Sequence, residues 1–307
     1  MNLFCAAVYT NAYMPGQNRY VKLTEHEQKL VVQTPHILES YHYVGKQKFV
    51  DDMRREGAKV FLDSGAFSAF HLGVKIDITE YCDYIKRNMD ILRVEDGAVM
   101  ASVLDGIGDP LVTYQNQLEM ERQGAKPLPC FHFGEDERYL EWYVKNYPYI
   151  TIGGMVGRPT DDLITWLDRV WSKYMVDGSG RPRLKVHAFG ITSVAVMERY
   201  PWYSVDSSSW IQAAAFGSIF TAKHGPIAVS SKSPSRHDHG RHITTLSGPE
   251  RLYLEQMLAD QGFDPARLAE VYESRAAYNL FGYRQLNEII NNAKGSNTFE
   301  NPVQELF

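Results

Sequence analysis

Three apolar runs in this chain close on an aspartate followed by small residues: VFLDSGAF over 60–67, ASVLDGIG over 101–108 and YSVDSSSW over 203–210. Runs this short do not make helices. Their near-continuous apolar character reads as strands buried on both faces. Further strands are expected at 3–10, 126–134, 149–154 and 184–190. Helical patterns fill the intervals at 78–92, 110–124, 136–147, 160–175, 193–200 and 209–217. The helix at 78–92 carries an apolar stripe through Ile78, Tyr81, Ile85 and Met89, and the helix at 110–124 has Pro near its start and Gly at its end. Thr160 is the expected cap of the helix that follows it.

Repeated strand–helix units with buried strands predict an α/β protein with a parallel sheet covered on both faces. About eight units in about 300 residues predict a (β/α)8 TIM-type barrel with a helical C-terminal extension. An open doubly wound sheet is the alternative. The expected organisation is a barrel core over 1–230, including a variable polar loop at 11–45, and a basic loop with a helical region over 231–307. A strand or hairpin is expected near 218–231 and helices over 247–294.

A barrel gathers the C-terminal ends of its strands at one mouth. Asp63, Asp105 and Asp206 would then converge, joined by His132, the Gly153-Gly154 pair, His187 and Gly190. Each has a simpler explanation. Aspartate after a strand often caps a helix or forms an Asx-turn, and glycines commonly end barrel strands. Three aspartates, each beside Ser or Gly, favour a shared site.

Composition narrows the partners. The chain has 307 residues and a net charge of -5, so a nucleic-acid partner would need a local basic face. Arg181, Arg183 and Lys185 form one candidate for phosphate contact, and Lys232, Arg236 and Arg241 another. His237, His239 and His242 in SRHDHGRH suit a metal by spacing, but their charged neighbours favour a basic surface loop. No apolar run reaches the length of a membrane span, and the N-terminus reads as a strand rather than a signal peptide. Cys5, Cys82 and Cys130 are scattered, which fits a reducing cytoplasm and predicts neither disulfides nor a Cys-ligated structural zinc.

The ordered motifs resemble the tRNA-guanine transglycosylase superfamily. The family's D-S-G-G-[FY]-Q motif reads DSGAFS here. Its guanine-reading aspartate matches SVLDG, its G-G-L-A-V-G motif matches GGMVG, and a later strand end matches HAFG. The nucleophile segment matches YPWYSVDSSSW. The match covers residues 58–210. Ser68 replaces the motif's glutamine, and His132 stands near the position of a second base-reading glutamine. The family's Cys-rich zinc subdomain has no counterpart, since no cysteine follows Cys130. That absence makes the chain look most like the phage and bacterial DNA branch, often called DpdA, which exchanges guanine in DNA for a 7-deazaguanine.

The resemblance implies roles. Asp206 would be the nucleophile that holds the sugar covalently, and Asp63 the general acid/base. Asp105 would accept hydrogen bonds from the guanine edge. Phe67 and Phe189 would stack the purine. Gly153, Gly154 and Met155 would approach the 7-substituent. Ser64, His132, His187 and Gly190 would complete the substrate site. The implied partners are DNA, with tRNA as the alternative, and a 7-deazaguanine base such as a cyano or aminomethyl form. Segments 11–45 and 223–242 are candidates for holding a displaced strand. No cofactor is expected, and the location would be cytoplasmic, in the host if phage-encoded. Two other classes stay open: a metal-dependent barrel hydrolase using His237 and His239, and a non-catalytic nucleic-acid-binding barrel.

Overall fold

The computed structural model describes residues 1–293 and 298–299. The chain divides into two compact units. The first comprises Met1–Thr10, His36–Ser207 and the described residues from Asn292 onward; the second comprises Asn11–Pro35 and Ser208–Asn291. The boundary expected at 230 therefore falls inside the second unit, and the loop expected over 11–45 is divided between the two.

The first unit holds β1 (Asn2–Ala6), β2 (Ile37–Ser40), β3 (Phe61–Asp63), β4 (Val94–Glu95), β5 (Ala98–Val99), β6 (Cys130–His132), β7 (Tyr149–Gly153), β8 (Lys185–Ala188) and β9 (Ser204–Ser207). Seven of these form one parallel sheet in the order β3-β2-β1-β9-β8-β7-β6, while β4 and β5 make a separate antiparallel hairpin. Within each run of successive strands, every step moves the same way across the sheet, and β1 pairs directly with β9. A doubly wound sheet reverses its direction at a switch point. The observed order has no reversal, so that alternative is excluded.

The strand expected to close on Asp105 is only partly a strand, over Ala98–Val99. Beyond Val99 it continues as an extended segment bonded on both sides. Leu62 N donates to Met100 O at 2.9 Å and Ser102 N to Leu62 O at 2.9 Å. On the other side Leu128 N donates to Ala101 O at 2.7 Å and Val103 N to Leu128 O at 3.0 Å. Asp105 lies just past this segment.

Helices follow the strands with their own caps. Asp77 accepts from Thr79 N and Glu80 N to start Ile78–Arg87, and Asp109 accepts from Leu111 N and Val112 N to start Pro110–Arg122. Thr160 is not a cap: it is the first residue of Thr160–Val170, Pro159 holds the cap position, and a π-helical turn at Trp171–Met175 completes the span.

Side chains on a strand alternate between faces. Phe4, Leu38, Phe61, Met100, Leu128 and Tyr149 pack in one apolar cluster. Burying each large side chain of this kind contributes about 1.5–3 kcal/mol. Two residues further along the same faces stand Asp63, Ser102, Cys130 and Thr151. The strands therefore carry an apolar layer first and a polar layer next, toward their C-terminal ends.

The second unit packs Glu25–Val32, Ser209–Ala215, the hairpin β10 (Ser218–Thr221) and β11 (Gly225–Ala228), and the helices Gly248–Asp260, Pro265–Glu270 and Tyr272–Ala293. Its core includes Ile219, Leu254, Leu258, Phe263, Leu268 and Tyr278. Buried Glu27 accepts from Arg267 Nε at 3.0 Å, and buried Asn279 accepts from Phe220 N at 2.7 Å. The expected C-terminal helices are present as far as Ala293; residues 294–297 and 300–307 lie outside the described residues. Among the described residues no helix is long and apolar enough to cross a membrane.

Candidate active site

The C-terminal edge of the parallel sheet collects the acidic residues. Asp63 ends β3, and its neighbour in register is Ser40. Its Oδ2 accepts from Gly65 N at 2.9 Å, and its Oδ1 from Ser102 Oγ at 3.3 Å. Gly65 adopts φ +78° and a Cβ there would lie 2.4 Å from Ser40 Oγ, so the turn beneath Asp63 requires glycine. Burial first, then the Asp105 carboxylate, then that of Asp206, push Asp63 up to about 7 against these hydrogen bonds. Asp63 therefore feels both of the other aspartates. Ser64 is buried, and its N–H donates to Ser102 Oγ at 2.9 Å.

Asp206 lies within β9 opposite Phe4 and is buried. Its Oδ1 accepts from Gly190 N at 2.9 Å, so the turn after β8 holds it from the side. His187 Nε2 stands 3.4 Å from the same oxygen, without hydrogen-bond alignment. The ring is fully buried, with Nδ1 2.8 Å from Ser204 Oγ, and it packs against Phe61 at 4.5 Å and Phe189 at 4.7 Å between centroids. Burial lowers the proton affinity of His187 in spite of Asp206.

Asp105 forms a second acid–imidazole pair. Its Oδ2 is 3.4 Å from His132 Nε2, and its Oδ1 is buried with no hydrogen-bond partner. His132 Nδ1 is 2.9 Å from Glu135 Oε1, and His132 N donates to Glu135 Oε2 at 2.9 Å. Cys130 Sγ is 3.5 Å from His132 Nε2. Burial opposes a charged His132, but Cys130 and Asp105 outweigh it and raise its proton affinity. Burial, with Asp105 behind it, pushes the Cys130 thiol up to about 11. Gly153, beside His132 in register, leaves room here: a Cβ would lie 2.9 Å from His132 Cδ2 and 3.4 Å from Cys130 Sγ. Gly154 follows at φ +72° and is exposed, whereas Met155 is buried. Met155, Val156, Gly190 and Ile191 line a small cleft at this edge.

Not every expected residue joins this group. Phe67 is 59% exposed and rests on His71, with ring centroids 4.2 Å apart. Phe189 is packed against Phe61 and His187. The expected sandwich thus has one exposed wall and one packed wall. Arg181, Arg183 and Lys185 are a correction. They precede or open β8, and in a parallel sheet that is the edge opposite the carboxylates. Lys185 is paired there with Asp96 at 2.6 Å and lies over the Tyr203 ring at 4.0 Å. These three therefore stand away from the edge that carries Asp63, Asp105 and Asp206. Lys232, Arg236 and Arg241 are exposed in the second unit. His237 and His239 are exposed there too, while both ring nitrogens of His242 are engaged, by Thr244 Oγ1 at 2.8 Å and Ser230 O at 3.1 Å.

Sequence reasoning missed Glu135, Ser102 and the placement of Cys130. An i, i+2 pair of Cys130 and His132 on one strand face was the available signal. It also missed Glu39, fully buried in β2, which accepts from Tyr9 N at 2.6 Å and Thr10 Oγ1 at 2.7 Å. Burial pushes Glu39 up to about 7. Its bonds tie down the turn after β1. Comparison of the chain with protein-family models and with curated proteins gives no match.

Proposed function

We propose that this chain is a base-exchange transglycosylase that replaces guanine in DNA by a 7-deazaguanine through a covalent aspartyl–sugar intermediate. The observation that carries the reading is the placement of Asp63, Asp105 and Asp206 at the C-terminal edge of one parallel sheet, with Asp63 held by Gly65 N, Asp206 by Gly190 N and Asp105 Oδ1 buried without a partner. Cleaving an N-glycosidic bond with retention asks for a carboxylate nucleophile and a separate carboxyl group that handles protons. Asp63, raised to about 7, suits the proton role near neutral pH.

In this mechanism an oxygen of Asp206 bonds to C1′ as the C1′–N9 bond breaks. The departing guanine takes a proton from Asp63. The incoming base then returns its N9 proton to Asp63, and N9 bonds to C1′ as the aspartyl ester breaks. The Gly190 N–H orients Asp206 throughout. Asp105 Oδ1, buried and unpartnered, offers an acceptor to the N–H edge of a base extruded from its stack.

The same reading takes the sheet as a closed (β/α)8 barrel, with residues 100–103 as the eighth staff between β3 and β6. Support comes from the backbone bonds of that segment to Leu62 and Leu128. Incubation with labelled guanine and with DNA or tRNA in separate reactions tests the function. Label entering DNA supports the reading; label entering tRNA alone transfers the activity to RNA; label entering neither polymer refutes it.

A further inference from the structure

We infer that Asp105, Cys130 and His132 form a binding site for a zinc-class divalent metal ion, with its fourth coordination position open. The three side chains come together through the sheet. Cys130 and His132 lie two apart in β6 and so share a face. Residues 101–103 bond to Leu128, on the strand's approach, and deliver Asp105 beside them. One ligand atom from each residue lies within 4.8 Å of the other two.

The distances fit a metal cage, and the three-residue donor set sets this pair apart from His187–Asp206, which has the same 3.4 Å spacing. An imidazole that hydrogen-bonds a carboxylate closes to about 2.7–2.9 Å. Here Nε2 stays 3.4 Å from Asp105 Oδ2 and 3.5 Å from Cys130 Sγ. Zinc bonds of about 2.0–2.1 Å to N and O and about 2.3 Å to S, at a tetrahedral angle, put N and O about 3.3 Å apart and N and S about 3.5 Å apart. Both observed separations are edges of that tetrahedron.

The surroundings fit as well. A metal-bound histidine normally gives its other ring N–H to a carboxylate, which fixes the tautomer and aims the free nitrogen. Glu135 does this for His132 at Nδ1, 2.9 Å away, and also accepts from the His132 backbone N–H at 2.9 Å. Gly153 leaves open the space that a Cβ would occupy beside His132 and Cys130. Mixed N, S and O donors select zinc and its neighbours over magnesium or calcium. Three protein ligands with a free position mark a substrate-facing site rather than a closed structural one. A metal held in part by Cys130 would overturn the expectation that the chain has no cofactor and no cysteine-ligated zinc. The inference does not depend on base exchange. If both hold, Asp105 gives Oδ2 to the metal and keeps Oδ1 for the base.

The test uses the full chain, purified without a metal-binding tag and stripped by chelator dialysis. Cobalt(II) is titrated in as a spectroscopic stand-in for zinc. The expected result is one equivalent bound, with a thiolate-to-cobalt charge-transfer band and intense visible bands of a four-coordinate ion, both bleached by zinc. Cys130→Ser should abolish the charge-transfer band. Glu135→Gln, outside the ligand set, should weaken binding about 10–100-fold. Thermal melts confirm that each variant is folded. Asp206→Asn, which should disable exchange, should bind cobalt as wild type does, so failure of the exchange reading leaves this result standing. Folded wild-type protein that binds far less than one equivalent overturns the inference. So does an unchanged spectrum in Cys130→Ser, or loss of binding on replacing His237 and His239 instead.

Discussion

Two acid–imidazole pairs stand at the same sheet edge with the same spacing. His132–Asp105 and His187–Asp206 are each 3.4 Å between Nε2 and a carboxylate oxygen. Their neighbours give them opposite characters. His187 is sealed among aromatic rings, with a serine hydroxyl at its other nitrogen, and burial disfavours its charge. His132 is 19% exposed at its side chain and has a second carboxylate, Glu135, and a thiol around it. Burial there is outweighed by negative neighbours. A distance between two residues therefore does not define their chemistry; what faces the other nitrogen does.

The largest expected effect separates the two aspartates. Asp206→Asn should lower base exchange and the covalent adduct by orders of magnitude in protein that still melts cooperatively. Asp105→Asn should instead weaken guanine and alter base selectivity, because a buried acceptor that loses its match discriminates strongly. Denaturing gels with DNA and exchange assays against adenine and guanine read both. If the two variants behave alike, the pairs do not have separate roles.

Stability should separate the histidines next. His187→Ala empties a fully buried site against Phe4, Phe61 and Phe189, and should cost about 2–4 kcal/mol by urea denaturation. His132→Ala, at the open edge, should cost clearly less. Equal losses would remove the distinction between a sealed and an open pair.

Acidification is the third probe. An unfolded histidine titrates near 6.5, and the fold lowers His187 below that value. The unfolded chain then takes up the proton first. The stability tied to neutral His187 is present above about 6.5 and is lost as pH falls below it. His187→Asn should flatten this acid limb; His36, lowered to about 4, acts in the same direction and remains. Asp63, which feels both pairs, has the opposite sign. Its raised value means that its contribution is full below 3.8 and is lost as pH rises through about 7. Asp63→Asn should raise Tm relative to wild type more at pH 8 than at pH 5. An Asp63→Asn effect independent of pH would show that no strained carboxylate is there.

Gly153→Ala should have the smallest effect. The new methyl presses on His132 Cδ2 and leaves His187 untouched. About 1 kcal/mol of stability is expected to be lost, with binding at the His132 side impaired before exchange chemistry. A change confined to Asp206 reactivity would contradict the separation of the pairs.

The strand-ending aspartates were legible because an apolar run closed by Asp and a small residue has few uses other than a buried strand with a polar tip. The helices starting at Ile78 and Pro110 were legible from an apolar stripe and an early proline, whereas their caps Asp77 and Asp109 were not singled out. β2 was not: four residues with a buried glutamate among them look like a polar loop, and hydrogen bonds from Tyr9 N, Thr10 N and Thr10 Oγ1 make Glu39 tolerable there. The helix Gln47–Arg55, mostly charged, was hidden likewise. The company kept by Cys130 depends on which strand lies next to β6, and chain order does not state it. Arg181–Lys185 looked like a patch for the site because sequence proximity to HAFG hides a full strand length between them. The division at 10, 35 and 207 was unreadable because it follows contacts between distant segments.

The pairing of β1 with both β2 and β9 has a consequence for synthesis. The ribosome releases β1 early, and its partner β2 follows within some tens of residues. The other edge of β1 waits for Ser204–Ser207. At about 5–20 residues per second, the roughly 200 intervening residues take about 10–40 s to appear. For that time an apolar strand holding Leu3, Phe4 and Cys5 keeps one row of backbone groups open to any passing chain, as an unguarded sheet edge does. Slowing translation between β2 and β9 should lengthen this exposure, and newly made chains should then rely more heavily on holding chaperones.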